Sequence, residues 1–211
     1  MDIFINALLH ALFTALYFGG VGIIAILFRY VLKLKGEWYR KALHFFFMGS
    51  IFFWLYVFSY WYTSVIVLIT FLIFALIGLT ILERYSFYHD LLAERFKGEV
   101  KRSLTIAFLV FITSISVFWG IYGESYKYII LAGILAWGIG DALAALVGKK
   151  ETNTVIEHKL VHNKKTVEGS IAMFIGSTIA IFLVLLLIGQ KDWLYSLLFA
   201  LIAGIIGTFV E

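Results

Sequence analysis

Apolar residues in this chain come in blocks of about twenty, the length a helix needs to cross the hydrocarbon core of a bilayer. Seven such blocks can be drawn, over residues 3–28, 42–60, 63–82, 104–121, 126–147, 167–188 and 193–210. Lipid offers no partner to a backbone N–H or C=O, so each block is expected to satisfy its own hydrogen bonds as a helix. The expected fold is therefore all-α, a polytopic transmembrane bundle of about seven spans. It forms a single integral membrane domain over residues 1–211. Composition agrees: 63% of residues are hydrophobic and only 14% charged, far from the balance of an ordinary globular domain. The first block has no basic region before it and no small-residue cleavage site, so it does not read as a removable signal peptide. Cysteine is absent, which excludes disulfides and thiolate chemistry. Proline is absent too, so any helix break has to come from glycine or polar residues.

Lysine and arginine set the orientation. Arg29, Lys33, Lys35, Arg40 and Lys41 follow the first block. Arg84, Arg95, Lys97, Lys101 and Arg102 follow the third, and Lys149, Lys150, Lys159, Lys164 and Lys165 follow the fifth. The alternate connections hold only Lys127 and Lys191, so fifteen of the seventeen basic residues fall on one side. The positive-inside rule makes that side cytoplasmic and puts the N-terminus outside. Basic residues confined to short loops beside spans are a poor match to nucleic-acid binding.

Three local features have both a structural and a functional reading. Arg40 and Lys41 serve either as headgroup anchors that snorkel from the membrane edge or as site residues. His44, one turn into the second block, is either a satisfied interior histidine or a functional one. Tyr85, Tyr88, Leu92 and Phe96 recur near helical spacing, which suggests an interfacial helix near residues 85–97. That helix would cover the bundle or act as a ramp for a lipid. The fifth block also carries small residues at every fourth position, Ala132, Ala136, Gly140, Ala144 and Gly148, which predicts close helix packing.

The densest chemistry lies in residues 135–170. Asp141 sits about two turns from the cytoplasmic end of the fifth block, where an unpaired carboxylate costs several kcal/mol or takes up a proton. It calls for a metal, a lysine or arginine, or a water-lined cavity; a buried salt bridge is the purely structural reading. Gly138, Ala145 and Gly148 lie near the same helix face and are expected to leave room for something bulky. Lys164, Lys165, Thr166, Glu168 and Gly169 open the sixth block, where a helix N-terminus with lysines and a hydroxyl makes a plausible phosphate seat. Lys149 and Lys150 lie at the other edge of the loop. The stretch is not a Walker A loop, since position 143 is Leu.

The run Gly140-Asp141-Ala142-Leu143-Ala144-Ala145-Leu146-Val147-Gly148-Lys149, followed by Lys164-Lys165-Thr166-Val167-Glu168-Gly169-Ser170, resembles the signature of the CTP-dependent lipid kinases, which include dolichol, polyprenol and phytol kinases. Arg40-Lys41 with His44 and Gly49 resembles the same family's upstream element. More distantly, the two central pieces are similar to those of phosphatidate cytidylyltransferases. The resemblance implies transfer of the γ-phosphoryl of CTP to an isoprenoid alcohol with Mg²⁺. It implies Asp141 and Lys165 as catalytic residues. Lys149, Lys150, Lys164, Lys165, Thr166 and Gly169 would hold the nucleotide, and Asp141 and Glu168 the metal. Arg40, Lys41, His44, Gly140 and Gly148 would support the site.

The partners implied are a membrane lipid and a nucleotide, with no nucleic acid; pairing of protomers is left open. Two departures stand out. Residues 151–163 contain no proline, and the chain stops at Val210-Glu211, where family members usually continue to an aspartate-asparagine motif. A cytidylyltransferase making a CDP-lipid, a CTP-dependent diacylglycerol kinase and a non-enzymatic transporter or scaffold are the alternatives.

Overall fold

A computed structural model describes residues 2–33, 36–85, 87–92, 94, 96–149, 154–156 and 165–210. The described chain is all-α apart from one pair of two-residue strands. Its elements are α1 (Asp2–Tyr30), α2 (Gly36–Gly49), α3 (Ile51–Tyr56), α4 (Trp61–Leu82), α5 (Phe87–Leu92), α6 (Glu99–Ser114), α7 (Lys127–Gly148), β1 (Val155–Ile156), β2 (Lys165–Thr166), α8 (Val167–Leu183) and α9 (Trp193–Val210). α6 and α8 each continue as a π-helical stretch, Ile115–Ile121 and Val184–Ile188. Among the described residues six continuous helices are long and apolar enough to cross a membrane, and they mark the chain as an integral membrane protein.

The second expected span, 42–60, is not one helix. α2 ends at Gly49, Ser50 makes a turn in which its N–H donates to the Phe47 carbonyl at 3.0 Å, and α3 runs only to Tyr56. Gly49 and Ser50 are weak helix formers for separate reasons: glycine loses the most backbone entropy, and serine competes for backbone hydrogen bonds. In a chain without proline, that pair supplies the break. The interfacial helix expected near 85–97 is also shorter, since α5 covers only Phe87–Leu92. Tyr88 is fully buried and its hydroxyl donates to Glu94 Oε1 at 3.2 Å, whereas Tyr85 and Phe96 are exposed. Arg95 lies outside the described residues.

The chain divides into two units, residues 1–46 with 52–123, and residues 47–51 with 124–211. The first unit is held by aromatic rings. Phe18 stacks on Phe71 at 4.1 Å, Phe71 on Phe108 at 5.8 Å, and Trp54 on Phe58 at 5.8 Å. Trp54, Phe108 and Phe111 are completely buried. Each such pair contributes about 0.5–1.5 kcal/mol beyond the area it buries. At the basic end of the same unit, charges are neutralised within the chain. Lys101 pairs with Glu83, and Glu94 accepts the Val100 N–H at 3.1 Å.

The second unit has α7, α8 and α9 as its body, with α7 and α8 sharing its most extensive interface. Its packing is set by glycine rather than by rings. Its buried side chains among the described residues are aliphatic, from Ala132, Ala136, Ala180 and Ala200 to Ile130, Leu131 and Leu185, and include no stacked rings like those of the first unit. At its less basic end, Lys127 pairs with Glu124 at 2.6 Å and the Lys191 ammonium sits 5.1 Å from the centre of the Tyr128 ring.

Candidate functional site

The small-residue stripe of α7 is the surface on which α8 lies. A Cβ placed on Gly140 would stand 3.3 Å from Met173 Cγ and 3.5 Å from the Met173 carbonyl oxygen. From the other side, one placed on Gly176 would stand 3.6 Å from Gly140 Cα and 2.6 Å from Leu143 Cδ1. Nearer the loop, a Cβ on Gly169 would meet Thr166 Oγ1 at 2.9 Å, the Ala144 carbonyl oxygen at 3.1 Å and Gly148 Cα at 3.3 Å. One on Gly148 would meet Thr166 Oγ1 at 3.0 Å. Side-chain-free positions on both helices let the two backbones approach, as small residues do between helices in lipid.

These contacts correct one expectation. The glycines beside Asp141 do not leave room for a bulky group. The space next to Gly138 is filled by Met48, whose Cβ and Cγ would lie 2.9 Å from an added Cβ, and the space at Gly148 is filled by Thr166 and Gly169. What the crossing does instead is join the two sequence motifs. Gly148 closes the first, Thr166 and Gly169 belong to the second, and they are in contact. Asp141 is half-buried on α7, two turns and so about 10 Å before that contact.

The start of α8 is closed by the chain. Thr166 is its N-cap, extended at φ −122° and ψ 150°, and its Oγ1 accepts the Gly169 N–H at 3.1 Å. This satisfies one of the orphan donors of a helix start. The Val167 N–H donates to the Thr154 carbonyl at 3.0 Å. The Thr154 N–H in turn donates to both carboxylate oxygens of Glu168, at 3.1 and 3.0 Å. β1 and β2 pair antiparallel, Val155 opposite Thr166 and Ile156 opposite Lys165. The returning loop is thus bound to the first turn of α8 through strand, backbone and carboxylate together.

The other expected residues are distributed as follows. Lys149 is exposed at the C-cap of α7, and Lys165 is half-buried in β2. Lys150 and Lys164 lie outside the described residues. Arg40, Lys41 and His44 belong to the first unit. There Arg40 pairs with Glu37 and, at 3.4 Å, with Glu99, while Lys41 is buried and His44 half-buried. The Arg40 guanidinium is therefore matched by two carboxylates of its own unit.

No cluster of three or more His, Cys, Asp or Glu able to hold a metal occurs among the described residues. Mg²⁺ asks for less, since it usually takes one or two carboxylates and completes its shell with substrate phosphates and water. Asp141 on α7 and Glu168 in the first turn of α8 are carboxylates of the kind it uses, and each Glu168 oxygen keeps a lone pair beyond the one facing Thr154. Compared with protein-family models, with curated proteins and with solved structures, the chain matches none.

Sequence reasoning gave Thr166 to phosphate and missed its capping role. The signal was present, a threonine immediately before an apolar run. Met48 as the neighbour of Gly138, and the buried hydroxyls of Thr178 and Ser196, which have no hydrogen-bond partner among the described residues, had no local signal.

Proposed function

We propose that the chain is a CTP-dependent kinase of an isoprenoid alcohol, working at the cytoplasmic membrane face. The observation that carries this reading is the meeting of Gly148 with Thr166 and Gly169, which brings a carboxylate-bearing helix and a lysine- and hydroxyl-bearing helix start into one place. Phosphoryl transfer needs mainly positioning and charge neutralisation, and these residue types supply both.

In the proposed reaction the alcohol oxygen attacks the γ-phosphorus, a new P–O bond forms, and the bond from that phosphorus to the β,γ-bridging oxygen breaks. CDP leaves with the bonding electrons. Asp141 takes the hydroxyl proton, or would instead hold the metal while the proton passes to water; Glu168 would be the other metal ligand. The Mg²⁺ supplies neutralisation of the triphosphate charge when bound. Lys149 and Lys165 hold phosphates together with Lys150 and Lys164, Thr166 and Gly169 shape the seat, and Gly140 and Gly148 keep the helices close.

Charge supports the topology that the reading requires. Under seven crossings the three groups of five basic residues share one side. Without a crossing by α2 and α3, the first group would lie opposite the other two. These helices belong to an apolar stretch that begins only after Arg40 and Lys41, residues 42–60, which falls within the range of about 17–25 residues that a crossing takes. We therefore read them as one broken crossing, with the N-terminus outside and α5 at the cytoplasmic interface. The basic face also attracts a triphosphate.

The test is incubation of purified protein with γ-labelled CTP, Mg²⁺ and a series of polyprenols. Labelled lipid phosphate and free CDP are expected. Absence of lipid phosphate from every alcohol, with CTP still bound, rejects the proposal, and release of pyrophosphate reassigns the chain to cytidylyl transfer.

A further inference from the structure

The facing ends of α4 and α6 sort their charges. Each described carboxylate between Glu83 and Arg102 is turned onto a partner within the chain. Glu83 takes Lys101, and Glu99 takes Arg40 at 3.4 Å, with 10% and 11% of their side chains exposed. Glu94 accepts the Tyr88 hydroxyl at 3.2 Å and the Val100 N–H at 3.1 Å. That neutralisation uses up the acids but not the cations. Arg84, Lys97 and Arg102 are exposed, and none has a side-chain partner among the described residues. Residues 83–102 hold four acidic and five basic residues. The outward charge therefore comes from the inward turn of Glu83, Glu94 and Glu99 rather than from composition.

The backbone gathers the three cations. Arg84 and Tyr85 continue from α4 in a turn, their N–H groups donating to the Ile81 and Leu82 carbonyls at 3.2 and 2.9 Å. Phe96 and Lys97 precede Gly98, whose left-handed φ of 80° lets the Glu99 N–H return to the Phe96 carbonyl at 3.1 Å. The Lys101–Glu83 ion pair ties the two helix ends together, and Arg84 and Arg102 are the next residues along from its members. Tyr85 and Phe96, each beside a cation in the chain, are exposed as well.

We propose that this patch binds the headgroups of anionic phospholipids. Its surroundings decide the partner. Ile77, Ile81 and Leu82 on α4 and Ile106 and Leu109 on α6 are exposed apolar side chains that face lipid, and Arg84 and Arg102 stand within about one turn of them. That is headgroup level, where rings such as Tyr85 and Phe96 also settle. The phosphates nearest the patch are those of lipids. Charge then selects among lipids: a zwitterionic headgroup brings its own cation to three that are already unpaired, and an anionic one does not.

Binding of this kind needs no catalysis, so the test uses none. The full chain, naturally free of cysteine, receives a single cysteine by Ser103→Cys at an exposed position beside Arg102, labelled with bimane. It is placed in vesicles of equal phosphatidylcholine and phosphatidylglycerol, with brominated chains on one lipid or the other. Quenching reports which lipid stands beside the label. Phosphatidylglycerol should be favoured about threefold or more, and the preference should fade in about 1 M salt, where charges are screened beyond about 3 Å. Arg84→Gln, Lys97→Gln and Arg102→Gln together should return the ratio to about one with the thermal midpoint unchanged, since exposed charges of this kind add little to stability. A label carried by Leu194→Cys, exposed at the start of α9, should show no preference, because Lys127 there is paired with Glu124 and Lys191 lies on the Tyr128 ring.

Equal quenching by the two lipids at Ser103→Cys in the otherwise unchanged chain overturns the inference, as does a preference that survives the triple substitution. Loss of the preference to inorganic phosphate or CTP, at ionic strength matched with chloride, also overturns it and gives the cations to a soluble phosphate.

Discussion

The two units of this molecule solve one problem by opposite means. Helices in lipid gain little from burying apolar surface against each other, so they associate through packing and through the few polar contacts available. The first unit packs with bulk: Trp54, Phe108 and Phe111 fill its interior, and rings from α1, α3, α4 and α6 stack in series. The second packs by omission, with Gly140, Gly148, Gly169 and Gly176 bringing backbones together. A ring cluster holds its helices apart at side-chain distance and tolerates small shifts. A glycine crossing brings two backbones into direct contact, with no side chain between them to adjust. The motifs with carboxylate, lysine and hydroxyl groups lie at the second kind of contact, where positions are most tightly set.

Substitutions can break this contrast, beginning with the largest expected effect. Trp54→Ala empties the centre of the ring cluster and should lower unfolding free energy by about 3–5 kcal/mol, read as a drop in thermal midpoint in detergent. Trp54→Phe should cost far less, because the buried Trp54 Nε1 has no acceptor among the described residues and its loss removes that penalty. Gly169→Ala is expected to cost about 1–3 kcal/mol through overpacking against the Ala144 carbonyl and Gly148 Cα, backbone atoms that cannot rotate away. Gly133→Ala, on α7 with nothing within 4 Å of an added Cβ, is the control. It should stabilise by about 0.5–1 kcal/mol. Equal effects from the two glycines would end the claim that the crossing is exacting.

Thr166→Ala sharpens the comparison at smaller scale. Loss of the cap to Gly169 should cost about 1 kcal/mol, recovered in Thr166→Ser, which restores an accepting oxygen. If the threonine also serves nucleotide, the alanine variant will lose CTP affinity beyond that stability cost. Titration of CTP binding at a temperature well below unfolding separates the two.

Much of the second unit could be read from the sequence, because its determinants are local and periodic. A small residue every fourth position is a helix face by itself, and α8 does lie on it. Thr166 before an apolar run marked a helix start. The break at Gly49-Ser50 was legible only as the statement that, without proline, glycine or a polar residue would supply any break. Nothing local said that the helix would stop there, since the apolar run continues through it. The ring cluster was illegible for a different reason. Phe18, Trp54, Phe71 and Phe108 come from four separate helices, and only the folded chain brings them together. Tyr88 was assigned to an apolar interfacial face by spacing, yet it turns inward because Glu94 gives its hydroxyl an acceptor there. Hydrogen-bond partners six residues apart along irregular chain are not encoded in a helical period.

The central claim is that Asp141, on the helix that meets Thr166 and Gly169, takes part in phosphoryl transfer to a lipid alcohol. The most direct measurement compares wild type with Asp141→Asn for CDP release from CTP with a polyprenol acceptor, alongside the thermal midpoint of each. The account predicts that turnover falls by about 10²-fold or more while the thermal midpoint stays close to that of wild type. Turnover near the wild-type rate in a folded Asp141→Asn protein would contradict it and leave the carboxylate a structural role.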